Sequence, residues 1–108
     1  MFPLILTKEA DSEYTEAAVW YEQQSPGLGD RFIVTIQQKL QLIQNNPERY
    51  PKKKEAFREA IVKTFSYTIV YSFNKKEKLI IVSSIFHTSR NPKKKYKKTT
   101  LHEKKHIQ

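Results

Sequence analysis

The chain has 108 residues, enough for one domain with a single modest core and too few for two. It holds no cysteine, which excludes disulfide staples, thiolate nucleophiles and cysteine-ligated zinc. The formal charge is +9, yet residues 1–30 hold six acids against Lys8 alone, a net of −5, so the other 78 residues carry +14. A field of that sign attracts anions, which makes a polyanion or an acidic protein the expected partner of the C-terminal part. The opening "MFPLILTKEADSEY" shows no basic segment, no long apolar run and no small-residue cleavage site. Neither a secretory leader nor a membrane span is read there, and a cytoplasmic location is expected.

"FPLILT" reads as a short first strand, in which Pro3 is tolerated only at an edge or at the first position. In "KEADSEYTEAAVWYEQQ", Ala10, Tyr14, Ala17 and Tyr21 recur at helical spacing, and the acids gather toward the N-terminal half, where the helix dipole favours them. "SPGLGD" breaks the pattern with the only two glycines of the chain. A second helix follows, with Phe32, Ile36, Leu40 and Ile43 on one face, and "NNPERYP" stops it.

Beyond a loop "ERYPKKKE" the period changes to two. "AFREAIVKTF" alternates Phe57, Ile61 and Phe65 on one face against Ala60 and Val62 on the other. "YTIVYSF" and "KLIIVSSIF" are β-branched and aromatic runs joined by the hairpin turn "NKKE". The expected fold is α+β in the order β-α-α-β-β-β, two N-terminal helices packed on a small antiparallel sheet. Residues 1–96 are expected to form the domain and 97–108 a basic, loose tail.

Three features invite a functional reading. "HEKKH", His102 to His106, matches the H-E-x-x-H zinc-protease pattern, but it sits in a lysine-rich tail without the apolar helical face that would hold two imidazoles rigidly. No metal or other cofactor is therefore expected. The lysine blocks, with Tyr50 and Tyr96 beside two of them, would neutralise phosphates without selecting a sequence. The end of the last strand, "FHTSRNPKKKY", supplies His87 for proton transfer, Arg90 for a phosphate and Tyr96 as a phenol, the side-chain types that in-line RNA cleavage uses. The alternative reading is that His87 only ends the sheet with a local hydrogen bond while Asn91 and Pro92 turn the chain.

Taken in order, "WYEQQSPGLGDRF", "NNPERYP", "FREAIV", "YTIVY" and "FHTSRNP" resemble the RelE/ParE family of toxins from bacterial type II toxin-antitoxin modules, over about residues 4–96. The resemblance implies a growth-inhibiting toxin held inactive by a cognate antitoxin with an acidic C-terminal segment, the pair reaching operator DNA only through the antitoxin. It also implies a choice of target. RelE-like members cut messenger RNA on the ribosome without a metal, and the Arg90 to Tyr96 spacing matches theirs, whereas Thr68 stands where they carry a strand arginine. ParE-like members inhibit DNA gyrase by binding, and the long first helix and the H-x-x-R-N-P ending resemble theirs more closely. The ParE-like reading is favoured, and whether the chain is an enzyme stays open. Arg58, Lys63, Arg90, Lys93 and Lys94 are the cations expected to meet the target or the antitoxin. A reading from another class is a non-toxic basic protein that binds nucleic acid through its tail.

Overall fold

Thr7 fixes how the first helix meets the sheet. The structure, a computed structural model, describes residues 1–89. In it the chain leaves strand β1 (Leu4–Leu6) through Thr7 and enters helix α1 (Lys8–Gln24). Thr7 is the N-cap: its Oγ1 accepts from the Ala10 amide at 3.1 Å and donates to the Ser83 carbonyl at 3.2 Å. One buried hydroxyl thus satisfies an orphan donor of the helix and ties the helix start to the last strand.

The apolar stripe expected on α1 faces the sheet, with Ala10 and Ala17 buried and Tyr14 and Tyr21 packed at the edge of the core. The small side chains let the helix axis approach the strands closely. Helix α2 (Leu28–Asn45) buries Phe32, Ile36, Leu40 and Ile43, as their spacing predicts. It ends where the two asparagines and Pro47 stop it, with Asn46 as C-cap.

The tight link between the helices depends on two glycines and one acid. Gly27 takes φ 90°, a conformation that costs other residues a Cβ clash. A methyl at Gly29 would stand 2.6 Å from the Ala18 carbonyl oxygen and 2.9 Å from Glu22 Cβ, so α1 and α2 meet there backbone to backbone. The Glu22 carboxylate accepts from the Gly27 amide at 3.0 Å and the Gly29 amide at 3.0 Å. An anion at the N-terminus of α2 satisfies amides that the helix leaves unpaired and complements its dipole.

The remaining elements are strands β2 (Lys52–Lys54), β3 (Phe57–Val62), β4 (Tyr67–Asn74) and β5 (Leu79–His87), with a 3₁₀ turn, Thr64–Ser66, between β3 and β4. They form one five-stranded sheet in the order β1-β5-β4-β3-β2. The α+β class and the meander β3-β4-β5 agree with the pattern in the sequence, and β1 lies at an edge, as Pro3 requires.

Three details differ from expectation. The sheet is mixed, because β1 runs parallel to β5, in the register Leu4↔Ile80, Ile5↔Ile81 and Leu6↔Val82. The lysines read as loop form the short edge strand β2, all three exposed. Lastly, Phe65 does not continue the face of Phe57 and Ile61. After Val62 the chain leaves the sheet, and Phe65, at φ 75°, turns its ring back to the helices, 4.8 Å from Tyr21 and 5.3 Å from Phe32. Burial of that ring and its edge contacts offset the cost of a left-handed phenylalanine.

Replacing Gly29 by alanine forces the two helix backbones apart. The expected loss is about 2–3 kcal/mol, read as a fall in Tm of roughly 10–15 °C by circular dichroism.

Candidate functional site

Strand register decides which of the sequence-derived candidates stand together. Tyr67 pairs with both Val62 and His87, so Lys63, the next residue after Val62, lies at the same end of the sheet as His87. Arg58 instead pairs with Tyr71, four residues further along β4, about 13 Å away along the strand. Arg90, Lys93, Lys94 and Tyr96, like the "HEKKH" run, lie outside the described residues.

Arg58 is held by the loop after α2. Its Nη1 donates to the Tyr50 carbonyl at 2.7 Å and the Glu48 carbonyl at 3.1 Å. Beside it the Tyr71 hydroxyl donates to the Pro47 carbonyl at 2.7 Å. Burial, the leading cause, pushes the Tyr71 phenol up to about 12, with the nearby Arg58 charge acting in the opposite sense. Lys39 and Arg49 sit over the Tyr50 ring at 5.5 and 5.6 Å, so cations crowd this end of the molecule together with the exposed lysines of β2.

His87 has a different setting. Its ring meets Tyr67 edge-on, with centroids 5.5 Å apart and planes at 85°. Nδ1 accepts from the Ser89 amide at 3.3 Å and lies 2.8 Å from Ser89 Oγ. That amide bond assigns the proton of the neutral ring to Nε2. His87 therefore does make the local hydrogen bond that ends a strand, and it also borders a cleft.

The cleft, about 480 Å³, opens between α1 and the end of β5. Glu13, Glu16, Trp20 and Tyr21 form the helix wall, and Tyr67 and His87 lie on the sheet side. Trp20 is 55% exposed, an unusual state for the largest apolar side chain. Glu13 accepts from the Ser84 hydroxyl at 2.9 Å and the Ile85 amide at 2.8 Å, which binds the helix to the outer edge of β5. Glu13, Glu16 and Trp20 were not singled out from sequence, although their spacing of three and four marks a second helical stripe beside the core stripe.

The sheet face opposite the helices has its own chemistry. Register places Phe57, Glu59 and Ile61 of β3, Thr68, Val70 and Ser72 of β4, and Ser84 and Phe86 of β5 on it. Glu59, Thr68, Val70, Ser84 and Phe86 are buried. On these three strands the described face carries a carboxylate and no cation, and Lys54 of the edge strand β2, paired with Phe57, stands at its margin. Among the described residues, no group of three or more His, Cys, Asp or Glu could hold a metal ion, and no helix is long and apolar enough to cross a membrane.

A two-helix layer on one side of this sheet is an architecture shared with solved structures from toxin-antitoxin modules. The chain superposes on the isolated RelE toxin of E. coli with a TM-score of 0.64 at 15% identity, over 85% of this chain and 89% of that one. It superposes on the chromosomal ParDE toxin-antitoxin system of P. aeruginosa with a TM-score of 0.61 at 12% identity, over 82% of this chain and 98% of that one. No curated protein sequence matches it. Residues 4–92 match the family model described as the ParE toxin of the type II toxin-antitoxin system parDE. The chain belongs to that family.

Two substitutions check the clamp on the loop after α2. Arg58→Ala leaves two carbonyls without their charged donor and is expected to cost about 1–3 kcal/mol in urea unfolding. The folded state favours the protonated Tyr71, so its contribution is complete below the unfolded value of 10 and is lost as pH rises through about 12. Tyr71→Phe should accordingly flatten the fall of Tm between pH 10 and 12.

Proposed function

We propose that this chain is a growth-inhibiting toxin that acts by binding its target, in the ParE-like manner of gyrase inhibition, and that a cognate protein antitoxin neutralises it. The observation that carries the binding reading is the sheet face opposite the helices. Cleavage of a phosphodiester needs cations where charge develops on the phosphate. On the three central strands this face carries no cation: Glu59, Thr68, Val70 and Phe86 are buried in it and Ile61 stands exposed, which suits apolar contact with a protein. His87 lies on the other face with the helices, its Nδ1 engaged by Ser89, which separates it from any chemistry on the Glu59 face.

The likeness to RelE at 15% identity supports the fold and leaves the target to these side chains. The antitoxin reading draws on family membership and on the charge of the chain. A partner segment with acids would meet Lys52 to Lys54, Arg49 and Lys75 along one side of the molecule.

The test is induced expression without antitoxin, timing the loss of DNA synthesis against that of protein synthesis, for wild type and for His87→Ala, Arg90→Ala and Tyr96→Phe. DNA synthesis is expected to stop first. If protein synthesis collapses first and the substitutions relieve it, the chain is an RNA-cleaving toxin and the binding reading is wrong. Unimpaired growth would overturn the toxin reading in favour of a harmless nucleic-acid-binding protein.

A further inference from the structure

Strand β5 is longer than its outer neighbour. β1 stops at Leu6, opposite Val82, and among the described residues no strand lies beside β5 from there to His87. Side chains of α1 and its cap take over part of that edge: Thr7 Oγ1 reaches the Ser83 carbonyl, and Glu13 takes the Ile85 amide. The Thr88 amide donates inward to the Ser66 carbonyl at 2.8 Å, so by alternation the backbone groups of His87 point outward. Among the described residues, this end of β5 is without a neighbouring strand where it borders the cleft of about 480 Å³ between α1 and β5.

The chemistry of the cleft is opposite to that of the molecule. In a chain of net charge +9, this opening carries Glu13 and Glu16 beside the exposed face of Trp20, with Tyr67 and His87 across from them. Glu16 has no hydrogen bond or ion pair among the described residues. Carboxylates beside an indole face form a receptor for a planar cation, since a guanidinium stacks on the ring while its edge N–H groups reach the oxygens. Nucleic acid and acidic peptides are repelled by the same groups.

We infer that the cleft between α1 and the end of β5 docks an extended, arginine-bearing segment of a protein partner, its backbone adding to β5 at His87 and its guanidinium seated on Trp20 beside Glu16. Added strands gain affinity from main-chain hydrogen bonds and specificity from side-chain pockets. The inference deepens the antitoxin reading only in naming the partner: a neutralising protein would present a basic residue here as well as acids on the lysine side.

Trp20 is the only tryptophan of the chain, so its fluorescence reports on this cleft alone. The full-length protein would be titrated with the blocked pentapeptide Val-Arg-Val-Arg-Val. A saturable change in Trp20 emission is expected, weakened about tenfold or more when citrulline replaces arginine, and likewise by Glu16→Lys in the protein. Methylating the peptide nitrogens should weaken binding to a similar degree; if it does not, strand addition at His87 is wrong. Equal binding of the citrulline peptide, an unaffected Glu16→Lys variant of unchanged circular dichroism, no saturable change, or preference for pentaglutamate would each overturn the inference. None of these outcomes alters the growth experiment, so the two readings fail separately.

Discussion

The outer edge of β5 is the constraint on which the rest of the molecule depends. It is occupied in succession by the backbone of β1, by the Thr7 side chain and by the Glu13 carboxylate. Each contact advances α1 along the strand, so the helix is aligned on β5 over nearly two turns before the aromatic cluster of Tyr21, Phe32, Phe65 and Tyr67 fixes its far end. The helix pair is then locked by Glu22 on the amides of Gly27 and Gly29. Without the β5 edge neither the cleft nor the orientation of Trp20 would be defined.

The helices were legible because burial imposes a period that sequence records: the faces of Ala10 to Tyr21 and Phe32 to Ile43 are the buried ones. Strand β2 left no such record, since three exposed lysines at an edge alternate with nothing. The parallel partner of β1 was equally hidden, for a three-residue strand carries too little pattern to specify a register with residues near position 80. Phe65 misled the alternation because a turn at φ 75° reverses the direction of a side chain without changing its spacing.

Legibility of the site follows the same division. His87 could be placed at a strand end from the sequence, where the apolar run stops. Its association with Trp20 and Glu16 arises only when α1 is laid on β5, which no local pattern encodes. Arg58 could be read from the sequence as a cation on a strand, but not that its Nη1 reaches the carbonyls of Glu48 and Tyr50, because those contacts form only when the loop after α2 closes on β3. A carboxylate such as Glu59 among apolar strand residues was the better clue to the character of its face.

Pairing of the first strand with the last also orders events during synthesis. The α1-α2 hairpin leaves the ribosome well before β5, the strand that both covers its apolar stripe and gives β1 a partner. Until residue 87 has emerged, the nascent chain presents a helical hairpin with an uncovered hydrophobic side and no completed sheet. Such long-range closure delays folding until β5 has been made. A protein made in the same place and time could therefore meet this chain before its finished surface exists.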